Sequence, residues 1–312
     1  MTDAAPPIRI GIVGLGKIAR DQHIPTLRAD PRFQLVAAAS RSLSAADVPV
    51  YATLGAMIAA TPDLEAVALC TPPQGRGAFA REALDHGLHV LLEKPPGTSV
   101  GEVEELTARA RERRLALFAS WHSRVAAAVQ PARAWVADRA VRRVVVAWRE
   151  DVRKWHPGQA WIWQPGGLGV FDPGINALSI VTSVLSRRLL VTRAVLRVPA
   201  GRQTPIAATL ALADGAGATI EVELDFRQVG GEQWDITIDT DAGRLALHRG
   251  GADLEIDGAP VAVPAAGEYP RLYERFAELV RARTIDVDLA PLQLVADAFL
   301  IGERVEVEPF NE

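Results

Sequence analysis

Residues 8–21 read IRIGIVGLGKIARD, and the rest of the chain is understood from them. A compact apolar strand runs into Gly14-Leu15-Gly16-Lys17-Ile18-Ala19 and then into a helix start. The spacing is G-x-G-x-x-G/A, which binds a dinucleotide when it sits between a strand and a helix. Gly14 permits the tight turn, and Gly16 lets the backbone approach a pyrophosphate. Ala19 lets helix and strand pack closely. The helix N-terminus, with Lys17 and Ile18, faces the phosphate charge. A glycine-rich turn alone is a weak signal; its place directly after an apolar strand gives it weight.

The sequence downstream repeats strand and helix. Phe33–Ala39 is a second strand, almost wholly apolar, as a parallel sheet covered on both faces requires. At its end stand Ser40 and Arg41. An acid here would hold the ribose 2'-hydroxyl of NAD, whereas an arginine accommodates the 2'-phosphate of NADP. NADP is therefore expected, with NAD as a second cofactor. Leu54–Ala60 reads as a short helix and Ala66–Cys70 as a strand. Thr71-Pro72-Pro73 breaks the pattern at the strand's carboxyl edge, where open α/β sheets bind ligands. Gly77–His86 is a helix closed by Gly87, a good C-terminal cap. His89–Leu92 is a strand ending in Glu93-Lys94-Pro95-Pro96, followed by a helix over Val103–Arg113 and a strand over Leu115–Ala119. The alternation predicts a doubly wound Rossmann domain over residues 1–121, with right-handed crossovers.

Beyond Trp121 the texture changes. Val141–Trp148 reads as a strand with no helix to pair it into a Rossmann unit, and a glycine-rich segment leads into an apolar helix, Ile175–Leu185. From Leu190 on, alternation and turns such as Asp214-Gly215 predict an antiparallel sheet with short hairpins. Tyr269–Val280 and Ala290–Ile301 read as terminal helices. Residues 122–312 are thus expected to form one α+β domain with an open, mostly antiparallel sheet.

Composition bounds the function. Over 312 residues, 49% hydrophobic and 23% charged content is that of a folded globular protein. A net charge of -4 with dispersed basic residues gives no footprint for nucleic acid. Arg109–Arg114 reads as the solvated end of a helix. One cysteine, Cys70, excludes an intrachain disulfide. The N-terminal MTDAAPP lacks a secretion signal's basic and apolar regions, and no apolar run is long enough for a membrane span. The expected compartment is the cytoplasm.

Three clusters could carry chemistry. Lys94 follows a parallel strand at the ligand-binding edge; in an arbitrary protein it would be a surface lysine, and here it could touch a substrate beside the nicotinamide. A proline after it can fix the turn, rigidly as a cis bond. Asp172 begins the apolar helix and reads simply as its N-cap. Asn176, four residues on, would share its face. The third cluster is polar and aromatic: His122, then Lys154-Trp155-His156, Trp161, Trp163 and Trp234. Scattered tryptophans are usually core, as Trp135 and Trp148 could be. The segment around Trp155, Trp161 and Trp163 is too polar for that, and flat apolar faces beside hydrogen-bonding groups suit a sugar ring. His122, His156, Asp172 and Glu150 have no metal-ligand spacing.

In combination these motifs resemble the glucose–fructose oxidoreductase / inositol dehydrogenase / MocA superfamily, over essentially the whole chain. In detail, GKIARDQHIPTL, TPPQGR, AWREDVRKWHPGQAWIW and GGLGVFDPGINALS are similar to bacterial aldose 1-dehydrogenases acting on L-arabinose and D-galactose. The resemblance implies oxidation of the sugar's C1 hydroxyl to an aldonolactone, with NAD(P) as acceptor. It implies Lys94 and Asp172 as the catalytic pair, with Asn176 where most of the superfamily carries histidine. His122, Trp155 and Trp234 would line the sugar, and Thr71, Pro72, Pro73 and Glu93 would join the glycines at the cofactor. Asp172 as proton acceptor with Lys94 assisting is favoured; neutral Lys94 as base stays open. A related dehydrogenase for another sugar or inositol, or a non-catalytic nucleotide sensor, are the rival readings. The expected partner is a small aldose, with the chain a monomer or homodimer.

Overall fold

The computed structural model describes residues 5–41, 47–264 and 267–311. Residues 1–4, part of the stretch on which the expected lack of a secretion signal rests, lie outside it. The chain divides into two compact units, residues 1–120 with 268–288, and residues 121–267 with 289–312.

The first unit is built on the parallel strands β1 (Ile8–Val13), β2 (Phe33–Ala39), β3 (Val50–Tyr51), β4 (Ala66–Leu69), β5 (His89–Glu93) and β6 (Leu117–Ser120). They lie in the order β6-β5-β4-β1-β2-β3, all pairs parallel. The order reverses direction between β1 and β4, which makes their carboxyl ends the switch point where such sheets take ligands. All of β4 and β5 is buried, as the continuous apolar runs required. The first helix starts with a π turn, Ala19–His23, before an α-helix over Ile24–Ala29. Ile24 donates to the carbonyl of Ala19, five residues back, just ahead of Pro25, which has no N–H to give.

The expected division at residue 121 assigned everything after it to one domain. The segment Glu268–Asp288 instead belongs to the first unit. Its helix, Glu268–Ala282, has a strongly one-sided apolar face that buries Tyr269, Tyr273 and Phe276. Phe276 stacks on Phe33 and Phe118, with ring centroids 6.2 and 6.3 Å away. A two-residue strand, Ile285–Asp286, then extends the sheet beside β6.

The second unit holds a nine-stranded sheet. Its strands, numbered on in chain order with Ile285–Asp286 as β15, are β7 (Val141–Arg149), β8 (Leu190–Pro199), β9 (Ala207–Ala213), β10 (Thr219–Asp225), β11 (Gln233–Thr240), β12 (Gly243–His248), β13 (Asp253–Ile256), β14 (Ala259–Val261) and β16 (Glu303–Val307). The order is β14-β13-β12-β11-β7-β10-β9-β8-β16, antiparallel except for β7–β10 and β8–β16. One face is apolar: along β10, Ile220, Val222 and Leu224 are buried while Thr219, Glu221 and Glu223 are exposed. Helices Val129–Val136, Phe171–Leu185 and Ala290–Ile301 pack together, the last two side by side, and each meets the sheet. The solvent face is tied by cross-strand ion pairs such as Arg149–Glu223. Among the described residues no helix is long and apolar enough to cross a membrane.

Candidate active site

In the first unit, the residues expected at the cofactor stand at the carboxyl ends of adjacent strands. Gly14 follows β1 with φ 92°, and a Cβ there would lie 2.9 Å from the Thr71 methyl, so turn and loop pack tightly. At Gly16 an added Cβ would meet nothing within 4 Å: the backbone faces open space at the helix start, as a pyrophosphate requires. The exposed Lys17 side chain pairs with Asp21 one turn on. Ser40 follows β2, where its N–H donates to the Tyr51 carbonyl at 2.9 Å, and Arg41 is exposed. Thr71, Pro72 and Pro73 follow β4. These positions fit a dinucleotide.

Lys94 is half-buried after β5, and its bond to Pro95 is cis. The turn is held from behind. Arg76, itself buried, donates to the carbonyls of Thr71, Glu93 and Pro95, fastening the loops after β4 and β5 together. Glu93, expected near the cofactor, is only 2% exposed, and protein groups bond both of its carboxylate oxygens. One oxygen accepts from the Lys94 N–H at 2.7 Å; the other accepts from Tyr269 at 2.7 Å and from His23 Nε2 at 3.1 Å. His23 Nδ1 lies 2.7 Å from Tyr273 Oη.

Burial, the largest influence on His23, opposes its charge, but Cys70, Tyr273 and Glu93 together outweigh it and hold its pKa well above the ordinary imidazole value. Burial and then Glu93 raise Tyr269 well above a free phenol, and burial pushes Tyr273 up to about 12. The sequence reading missed this group. Its faint signals were a histidine in line with buried Ala19 and Leu27 on the first helix, and tyrosines four apart on a distant one.

In the second unit, Asp172 is not an N-cap. The helix begins at Phe171 after Val170, so Asp172 sits buried in its first turn, where the helix dipole favours an anion. Pro173 is tolerated there because first-turn N–H groups have no intrahelical partner. At Gly174 an added Cβ would lie 2.5 Å from Leu224, so glycine lets the helix start lie against β10. Asn176, one turn on, is half-buried.

A second imidazole faces Asp172. His156 Nδ1 lies 3.8 Å from Asp172 Oδ2, and His156 Nε2 lies 3.3 Å from Glu150 Oε1. The other oxygen of buried Glu150 accepts from Trp234 Nε1 at 3.0 Å. Trp155 Nε1 likewise donates to Glu232 at 3.1 Å, and Lys154 pairs with the same carboxylate. The two indoles meet with centroids 5.2 Å apart at 55°. Both spend their N–H on protein carboxylates, which leaves a ligand their ring faces. Trp163 differs from expectation: it is buried, 6.0 Å from Phe226, and belongs to the core. Trp148 is core as well, stacked on Trp234 at 6.0 Å. His122 stands on a short turn fixed by its neighbour Arg124, which donates to Ser179 and Thr182 of the Asp172 helix. Among the described residues no group of His, Cys, Asp and Glu is arranged to hold a metal ion.

Residues 8–120 match the family profile GFO_IDH_MocA, described as "Oxidoreductase family, NAD-binding Rossmann fold". The chain is 47% identical to galactose 1-dehydrogenase of Pseudomonas fluorescens over 98% of its own length and 99% of that protein. The chain belongs to the Gfo/Idh/MocA oxidoreductase family. It is an enzyme of the class acting on CH–OH groups. A solved D-galactose-1-dehydrogenase from Rhizobium etli superposes with a TM-score of 0.95 at 50% identity, over 100% of both chains. The fold is also that of a 3-ketoreductase from Actinomadura kijaniata solved with NADP, at TM-score 0.83 and 21% identity over 96% of this chain and 99% of that one. His156, from the turn after β7, places an imidazole nitrogen 3.8 Å from Asp172 Oδ2.

Proposed function

We propose that this family member is an NAD(P)-dependent aldose 1-dehydrogenase, oxidising the C1 hydroxyl of D-galactose, L-arabinose or D-fucose to the aldonolactone. What carries the reading is the near-full-length likeness to a galactose 1-dehydrogenase. The buried carboxylate and paired indole faces of the second unit support it, because a pyranose offers apolar C–H faces and polar edges. A working place in the cytoplasm accords with the single cysteine, and the chain would act as a monomer or homodimer.

The dinucleotide, when bound, supplies the hydride acceptor. Asp172 takes the C1 hydroxyl proton while the Lys94 ammonium stabilises the developing alkoxide. Asn176 orients the reacting end of the sugar, and His122, Trp155 and Trp234 hold its ring. Ser40 and Arg41 favour NADP.

Absorbance at 340 nm across a panel of aldoses and inositol, with NADP and NAD, tests the reading. D-Galactose, L-arabinose and D-fucose share their C2–C4 arrangement and are the expected substrates; turnover of inositol alone, or of nothing, overturns it. Arg41→Ala is expected to raise the KM for NADP by roughly 10- to 100-fold, the scale of a lost charged hydrogen bond, and to leave NAD nearly unchanged. Equal effects on both would remove the 2'-phosphate role.

A further inference from the structure

We propose that Phe310 is a positioning residue of the sugar site: it pins the segment 152–163, and with it Trp155, in the arrangement that receives the substrate. The inference rests on the reading of Trp155 as a residue that holds the sugar ring and concerns what keeps Trp155 in place.

The segment has little of its own to hold it. Between β7 and the helix Phe171–Leu185 the chain makes a four-residue helix, Val152–Trp155, and a four-residue 3-10 turn, Ala160–Trp163. Elements this short do not persist on backbone hydrogen bonds alone, so side-chain packing must fix them. Trp155 itself is half-buried.

The packing comes from beyond β16, the edge strand beside β8. That strand ends at Val307, whose carbonyl accepts from the Ala200 N–H at 3.0 Å. Glu308-Pro309-Phe310 follows. Pro309 fixes its own φ and keeps Glu308 extended, so Phe310 arrives with little freedom. Its half-buried ring has its centroid 5.8 Å from that of Trp163, and the Arg153 guanidinium carbon lies 5.3 Å from it. Arg202 completes the clamp: its guanidinium stands 5.5 Å over the Trp163 ring, and its Nη2 donates to the Phe310 carbonyl at 3.5 Å. A guanidinium within about 6 Å of an aromatic centroid is attracted by the ring face.

Phe310 thus grips the segment at both ends. Arg153 belongs to the short helix that carries Trp155, and Trp163 ends the 3-10 turn. From Trp163 the ring contacts continue inward to buried Phe226 at 6.0 Å, and from Phe226 to His156 at 5.6 Å. A residue that only covered Trp163 would shield the core; the contact with Arg153 reaches the helix of Trp155. Phe310 meets no reacting atom in this scheme and acts through the segment it holds.

A loosened clamp leaves only a fraction of free molecules with the segment in place. Apparent sugar affinity falls by that fraction, while the bound state is unchanged. Phe310→Ala should therefore raise the sugar KM about fivefold or more, with kcat and the dinucleotide KM within about twofold of wild type. Phe310→Tyr keeps a ring for Arg153 and Trp163 and should return the sugar KM to within about twofold. Phe310→Leu fills the space without a ring face and should fall between the two, which serves as the reading if the alanine variant does not fold. A sugar KM at the wild-type value in the folded variants overturns the proposal, as does a loss confined to kcat or to thermal stability. The segment is also read directly, by 19F NMR of protein carrying 5-fluorotryptophan, with the Trp155 resonance assigned by its loss in Trp155→Phe. Without sugar that resonance should be single in wild type and broadened or doubled in Phe310→Ala or Phe310→Leu, and saturating D-galactose should restore it. A Trp155 resonance indifferent to these substitutions overturns the clamp. If the wild type oxidises no aldose, the proposed function fails, and the resonance in sugar-free protein still decides whether Phe310 holds Trp155. If it does oxidise aldoses and the variants keep the wild-type KM, only the clamp fails.

Discussion

The protein builds the same pair, an imidazole on a glutamate, once in each unit, and finishes only one of them. In the first unit His23 has both nitrogens engaged, by Glu93 and Tyr273, and no surface exposed. In the second, His156 has no hydrogen-bond partner at Nδ1 among the described residues, where it lies 3.8 Å from Asp172, and at Nε2 it only approaches Glu150, in an ion-pair contact of 3.3 Å. A histidine whose every polar atom is matched can only hold structure; here it holds the turn that presents Lys94. One left with an unmatched nitrogen can exchange a proton. Burial alone does not distinguish the two roles, and the count of unused hydrogen-bonding positions does.

Removing charge from the finished pair should do the most damage. Glu93→Ala leaves a buried cation without its partner and should cost about 3–5 kcal/mol of folding stability, read from urea unfolding. A loss under about 1 kcal/mol would mean that the first centre is not the anchor described. At the open pair the same charge removal should spare the fold and strike the chemistry. Glu150→Gln should slow hydride transfer about tenfold, while stability falls by about 1.5 kcal/mol or less. Equal stability losses at Glu93 and Glu150 would erase the contrast. Trp234→Phe removes one donor from Glu150 and should cost about 1 kcal/mol, with a smaller effect on rate.

The pH dependence separates the centres most finely. Because the folded-state pKa of His23 is raised, its contribution is complete below the unfolded imidazole value of about 6.5 and is lost as pH rises through the higher folded value. The stability difference between wild type and His23→Gln should therefore be largest in mild acid and shrink toward alkaline pH. A difference that grows with pH would reverse the assignment of charge to His23.

Much of this was readable in the sequence, for physical reasons. Strands buried on both faces are apolar along most of their length, so β1, β4 and β5, and the Val36–Ala39 half of β2, declared themselves. The G-x-G-x-x-A turn and the residues after β4 and β5 marked the carboxyl edge. Direction and destination were not readable. Alternation along VRRVVVAW and TIEVELD tells which face is buried but not that β7 and β10 run parallel. The pattern of YPRLYERFAELV promises a buried face without saying which sheet it covers. The strand ERVEV, too polar and short to announce itself, closes the edge of the second sheet. Of the candidate residues, Lys94 in the first unit and Asp172 and Asn176 in the second could be picked out by motif. Glu150 and His156 lie in the stretch AWREDVRKWHPGQAWIW, but the strand end and the turn that bring them together leave no regular spacing to announce that they meet.

The return of Glu268–Ala282 to the first unit has a consequence for how the molecule is made. The ribosome finishes β1 to β6 early, then threads out almost the whole second unit before the helix that covers Phe33 and Phe118 exists. Through that interval the nascent sheet carries an uncovered aromatic patch and a His23–Glu93 pair lacking both tyrosines. The nucleotide-binding half is thus the first begun and nearly the last completed. A gene fragment ending at residue 120 would encode its glycine turn without the helix that closes its core.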